Sequence, residues 1–266
     1  MRSLRIINEY GQSIELTGKV LINGIEGLGI TRENEYLAFR DRYSLARISH
    51  GLGDISLGLV FLEGYSGYKD FVLFISRANK LFLEYKTNDT YLSRIAFKEI
   101  TKGEISFGSL QSNLTIVKLS PWYRSSEFAL EVSTTESAKE FPYVYYYTYG
   151  ANANGSMQIT NSGDSDAYLS LKIIGRMKNP YVIINKNGET IGTFRLFYEG
   201  EDIVSMSSIP DDEYIKVADV NAYQLQDFTC KNFLTIPKGE SEIVFYPGTS
   251  DPATCYLKIE ESFEGV

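Results

Sequence analysis

The chain of 266 residues has few of the residues that carry most protein chemistry: one His, two Cys, one Trp and four Met. A single histidine confines any histidine-based triad or zinc site to His50, in Ile48-Ser49-His50-Gly51, and no GxSxG elbow accompanies it. Catalysis at His50 is therefore not expected. Cys230 and Cys255 stand apart, in no CxxC and beside no histidine, so they read as buried thiols rather than a disulfide or a metal pair. No apolar run is long enough to cross a bilayer, and the opening MRSLRIINEYGQ lacks the apolar stretch and cleavage site of a secretory signal. The expectation is a protein folded in cytosol, without a membrane partner. Nor are its glycines organised for phosphate. Gly24-Ile25-Glu26-Gly27-Leu28-Gly29 has the order GxxGxG with no Lys-Ser/Thr behind it, and reads as a turn or a close backbone approach.

Positive charge is also in deficit. Lys and Arg total 26 against 34 Asp and Glu, a net charge of −8, which argues against nucleic acid as a specific ligand. The deficit is uneven: residues 1–124 hold 16 Lys and Arg against 13 Asp and Glu, whereas residues 125–266 hold 10 against 21. Two units with different partners fit this asymmetry. Acidic residues are numerous enough to pair for hydrolysis, and Asp211-Asp212-Glu213 and Glu199-Gly200-Glu201-Asp202 are candidates by abundance. Their turn-like contexts favour solvent-facing roles. Asn161, Asp164 and Asp166 offer oxygens in a glycine-containing turn, but no terminal Glu closes a calcium loop, and an Asx-turn is the simpler reading. No catalytic, cofactor-binding or metal-ligating residue is assigned.

What is plentiful is aromatic: 20 Tyr and 15 Phe. Aromatic and β-branched residues fit pleated surfaces, so the fold class is mainly β. Strands are expected over 3–10 and 13–22, then 55–61, 81–85, 91–100, 104–110 and 114–119. Residues 32–50 mix charge and aromatics without a clean period and suit an exposed hairpin or loop. Tyr68, Phe71, Val72 and Ile75 follow the i, i+3, i+4, i+7 stripe of the one convincing helix, with Ser66 as a candidate N-cap and Asn79 as a stop. Pro121, in Leu119-Ser120-Pro121-Trp122-Tyr123-Arg124, ends a strand because it removes a ladder donor. A boundary there splits the chain into 1–124 and 125–266, with 125–140 as a strand or an exposed connector.

The second part opens with alternating Tyr143, Tyr145, Tyr147 and Tyr149, which in a strand share one face. Such a row suits either a seam between domains or subunits, or a platform for stacking sugars. Strands are expected at 157–160, 168–174, 181–184, 193–198, 202–207, 214–217, 242–246 and 255–260. Turn signals every eight to twelve residues are the pattern of a sandwich. The runs 168–174 and 181–184, separated by Gly175 and Asn179-Pro180, read as antiparallel strands of it.

The order of these pieces resembles a known family. Two opening strands lead to the Gly24-Ile25-Glu26-Gly27-Leu28 turn, a charged extended segment, a strand, the helix, and more strands ending at Leu119-Ser120-Pro121-Trp122-Tyr123. The second half adds Gly163-Asp164-Ser165-Asp166-Ala167, Ile174-Gly175, Asn179-Pro180 and Phe233-Leu234-Thr235-Ile236-Pro237-Lys238-Gly239. Together they resemble the distal tail (Dit, Sipho-tail type) proteins of long-tailed phages or prophages of Gram-positive bacteria. The resemblance implies that residues 1–124 form a tail-tube-like split β-barrel or sandwich with one flanking α-helix, and that 125–266 form a galectin-like β-sandwich. It implies a virion structural protein assembled in the host cytoplasm, not an enzyme and without cofactors. It further implies a homo-hexameric ring joining the tail tube protein to the tail tip or tail-associated protein, a hub for receptor-binding or baseplate proteins. The alternative is an adsorption protein contacting host cell-wall glycans through its C-terminal sandwich. The charged segment 32–50 is expected to fold over a neighbouring subunit in the ring, and the acidic second half to face docking partners.

Overall fold

Period-2 alternation runs through most of the chain, and each stretch that carries it needs a paired neighbour to satisfy its backbone and cover its apolar face. A computed structural model, describing residues 2–51, 53–132 and 154–266, is accordingly mainly β, with a single α-helix at Gly64–Arg77. The chain divides into two compact units, Met1–Arg124 together with Phe263–Val266, and Ser125–Ser262. Each unit has its own hydrophobic core. No sheet of the described residues closes into a barrel.

In the first unit, Ser3–Asn8 pairs antiparallel with Ser13–Glu15 on one side and Leu81–Lys86 on the other. The path continues through Thr90–Ile100, Ser109–Lys118, Gly53–Phe61 and Val20–Glu26. Register shifts between Thr115 and Ile116 and between Ile22 and Ile25 bend the sheet, as bulges do. Both ends of the path bury into one core: Leu4 and Ile6 join Ile55, Leu57, Leu59 and Phe61, and Leu110, Leu114 and Ile116. Gly27 sits at φ +87°, where a Cβ would overlap the Asp54 carbonyl oxygen. The glycine run 24–29 is thus the close backbone approach expected of it. The helix buries Phe71 and Ile75 and half-buries Tyr68, whose ring meets Phe61 edge-on at 5.6 Å. Its start differs from expectation. Residue Glu63 occupies the N-cap with no side-chain cap, and Gly64 at φ +56° turns the chain into the helix before Ser66. The expected strands 104–110 and 114–119 are also rearranged. A turn at Phe107-Gly108 separates Ile105–Ser106 from the long strand Ser109–Lys118. Ser112 is tolerated inside that strand because its hydroxyl donates to the Thr101 carbonyl.

The second unit is built mainly from two sheets, with Met177–Lys178 and Glu199–Gly200 as a small separate ribbon. In one, Ala253–Phe263 lies between Trp122–Val132 and Ala167–Gly175, followed by Val204–Ser207, Tyr214–Val217 and Val220–Asn221. The other has the order Gly155–Asn161, Gly239–Tyr246, Tyr181–Lys186, Glu189–Arg195. Inward side chains of both, among them Leu169, Leu171, Leu257, Val182, Phe194 and Phe245, form one buried cluster, the arrangement of a sandwich. The runs expected at 168–174 and 181–184 are antiparallel strands but not partners: they lie in different sheets, joined across Gly175. That glycine adopts φ +120°, and a Cβ there would press on Pro252 and Ala253. The strand expected at 193–198 is Glu189–Arg195, because Asn187 and Gly188, both at positive φ, form a two-residue hairpin turn with Tyr181–Lys186.

Candidate assembly interface

The most exposed element of the first unit is a hairpin of Arg32–Phe39 and Arg42–His50, a two-stranded sheet of its own. Its turn is Arg40-Asp41, with Arg40 in the left-handed region at φ 54°. Directly opposed residues share a face. Tyr36 opposes Leu45, Ala38 opposes Tyr43 and Asn34 opposes Ile48, so one face carries Tyr36, Ala38, Tyr43, Leu45 and Ile48. The other face pairs Glu35 with Arg47, Glu33 with Ser49, Leu37 with Ser44 and Phe39 with Arg42. A register shift between Glu35 and Tyr36 disrupts the period, which is why the apolar stripe is invisible in the linear sequence. Every residue of Arg32–Phe39 is exposed. Tyr43 is 77% exposed, Phe39 62% and Tyr36 59%. An isolated hairpin is marginal in water and gains stability by covering such a face.

The root of this arm is well held. The Gly51 N–H donates to the Thr31 carbonyl at 2.9 Å, and Arg32 pairs with Glu264 at 2.6 Å. Just before it, the Trp122 indole donates to the Leu28 carbonyl at 3.2 Å and Lys118 Nζ to the Gly29 carbonyl at 3.1 Å. Desolvation pushes the Lys118 ammonium below the usual lysine range. Trp122 is fully buried, so it packs rather than recognises a ligand.

The other residues singled out by sequence take structural places. His50 ends the second arm strand. Asn161 forms the expected Asx-turn: its side-chain oxygen accepts from the Gly163 N–H at 2.9 Å, while its amide donates to the carbonyls of Ser165 and Ile236. With those bonds made, Asn161 is 1% exposed and committed to the turn. Among the acidic candidates, Glu199 pairs with Lys178 at 3.0 Å, Asp202 accepts from the Tyr198 hydroxyl at 2.9 Å, and Asp211 sits at a turn with φ 63°. They do not converge with one another on a metal site: among the described residues no such cluster occurs. Both cysteines are free, and burial raises the Cys255 thiol far above its usual range. Cys230 is only partly buried, unlike the expectation for it, because it sits in the loop that follows Asp227. The row Tyr143, Tyr145, Tyr147 and Tyr149 lies outside the described residues.

Sequence reasoning missed a second exposed apolar group, Leu62, Tyr65, Ile105 and Phe107. Phe107 is wholly exposed and holds φ 49°, an outlier for a bulky side chain. The dipeptide Phe107-Gly108 within a short polar stretch was the available signal.

Fold and surface together define the class: a mainly β protein of two units with a conspicuously exposed apolar arm. Residues 3–119 match the family model described as the distal tail protein, N-terminal domain. The first unit is such a domain, of a family of structural phage tail components rather than enzymes. The fold resembles a chain of the phage P2 baseplate in its activated conformation with Ca, at TM-score 0.69 and 17% identity over 100% of both chains. The same baseplate with Sr gives 0.70 and 17%, again over 100% of both. The SPP1 Dit protein, described as a paradigm of the hub adsorption apparatus in Gram-positive infecting phages, gives 0.66 and 10% over 97% of this chain and 98% of that one. At these identities the likeness is one of fold. No curated protein matches the sequence.

Proposed function

We propose that six copies of the chain close into a ring between the tail tube and the tail tip, and that this ring is the hub to which baseplate or receptor-binding proteins attach. In this reading the first unit is the ring-forming, tail-tube-like domain. The second is a galectin-like sandwich whose acidic surface meets docking partners. One observation carries the reading: the 32–50 arm, with an apolar face left uncovered by its own chain. The arm carries six large apolar side chains, four of them (Tyr36, Tyr43, Leu45 and Ile48) on that face, leaving on the order of 400 Å² for a neighbour, about half of the roughly 800 Å² that each partner contributes to a stable interface. Folding over an adjacent subunit is a heterologous contact, the kind that generates rings.

Light scattering on the purified protein, with negative-stain images of the same peak, tests it. The expected species is a ring of about 180 kDa, six times the 30.0 kDa chain, formed alone or on adding the tail tube protein. A 30.0 kDa monomer under both conditions overturns it.

A second reading is a glycan-contacting role for the sandwich. It rests on a shallow cleft in the second unit where Tyr214 and Tyr256 lie with Glu127, Lys172, Ser170 and Ser205, aromatic faces beside hydrogen-bonding groups. Binding of the full chain to a host cell-wall glycan array, lost in Tyr256→Ala, supports this reading. An empty array removes it.

A further inference from the structure

We infer that the surface receiving the arm is the apolar patch of Leu62, Tyr65, Ile105 and Phe107 on a second copy of this chain. The inference rests on the arm being the ring contact and names its other half.

Placement within the first unit carries the inference. Gly53–Phe61 and Ser109–Lys118 pair over nine positions, from Lys118 opposite Gly53 to Leu110 opposite Phe61. The arm leaves the unit at the Gly53 end, where Gly51 and Arg32 are fixed. The patch lies at the Phe61 end: Leu62 follows that strand, and Ile105 and Phe107 belong to the turn that precedes Leu110. Arm root and patch are therefore about 25 Å apart, at opposite ends of one rigid strand pair. Two different uncovered apolar surfaces at opposite ends of one unit can cover each other between copies without pairing like with like. They meet when copies are laid head to tail, the geometry that closes rings.

The patch is one surface rather than scattered residues. Gly64, at the start of the helix, faces the Ile105 side chain and the Gly108 carbonyl, which joins the segment 62–65 to the turn 105–108. The Lys102 ammonium lies 4.6 Å from the centre of the Tyr65 ring and keeps the aromatic in place. Holding Phe107 at φ 49° on a turn tip costs free energy and presents the ring fully to its surroundings. Chemistry matches on both sides. The apolar face Tyr36, Tyr43, Leu45 and Ile48 meets four apolar side chains. The arm is exposed along its length, so it does not occupy the patch of its own chain.

The test is photocrosslinking of the full chain carrying p-benzoylphenylalanine in place of Tyr43, alone and with the tail tube protein, with crosslinks mapped by mass spectrometry. Mixing light and isotope-labelled copies separates contacts between copies from contacts within one. The expected result is a crosslink between copies onto the peptides containing Leu62–Tyr65 or Ile105–Phe107, lowered at least tenfold by Phe107→Glu together with Ile105→Glu. These side chains are exposed, so the variant keeps the native melting curve. Crosslinks between copies that map elsewhere overturn the patch and leave the ring contact standing. Crosslinks only within one chain, only to another tail protein, or none at all overturn both.

Discussion

Trp122 shows how a single side chain serves both the core and the root of the arm. It is fully buried, tilts against Tyr85 at 5.8 Å and donates to the Leu28 carbonyl, tying the segment before the arm to the core. Trp122→Ala should cost about 3–5 kcal/mol in chemical denaturation of the first unit, from lost packing and an orphaned carbonyl; a loss below about 1 kcal/mol would refute this role. Asp227 is informative in the second unit. Hydrogen bonds from the Thr229 hydroxyl and N–H hold its carboxyl below the usual range, with Arg195 3.7 Å away. A depressed carboxylate contributes stability that is present above its ordinary pKa of 3.8 and is lost as pH falls through the lower folded value. Asp227→Asn should lower the melting temperature at pH 7, and the gap from wild type should close as pH drops below 3.8. An unchanged gap at low pH would show that the charge is irrelevant. At this scale the Asx-turn at Asn161 was legible in the sequence, because Asn bonds its own backbone two residues on. The partial exposure of Cys230 was not, because it depends on the packing of a loop.

Among elements, the helix and most strands follow from local periodicity, since burial on one face repeats at 3.6 or 2 residues. The errors lie where a backbone irregularity hides the period. A bulge concealed the amphipathic face of the arm, and the Asn187-Gly188 turn, a strong hairpin signal, moved a strand toward the N-terminus. The arm lends itself to a clean prediction. Tyr43→Glu with Leu45→Glu replaces side chains that are 77% and 50% exposed, so the melting curve should move by less than about 0.5 kcal/mol in stability. Ring formation, read by light scattering, should be abolished. Rings that persist would exclude the arm as the contact. Rings lost together with the fold would show that it belongs to the core.

For the molecule as a whole, two separate cores make a separable unfolding prediction. Phe61 is fully buried in the first and Phe245 in the second. In calorimetry, Phe61→Ala and Phe245→Ala should each shift a different transition, by the equivalent of about 3–5 kcal/mol. Equal shifts of a single transition by both variants would mean that the units unfold as one. The sequence by itself determined the mainly β class, the scarcity of groups for acid–base, metal or thiol chemistry, and the turns where Gly, Asn or Pro demand special backbone angles. These are local properties, carried by residue type and by the alternation of neighbouring side chains. Only the tertiary structure decided which strands share a sheet. The runs that begin at Tyr168 and Tyr181 take opposite layers of one sandwich, and Phe263–Val266 returns to the first unit. It also decided which apolar side chains stay uncovered. Alternation dictates that a strand has an apolar face, but whether that face is buried depends on partners distant in the chain, and the face of the arm stays exposed.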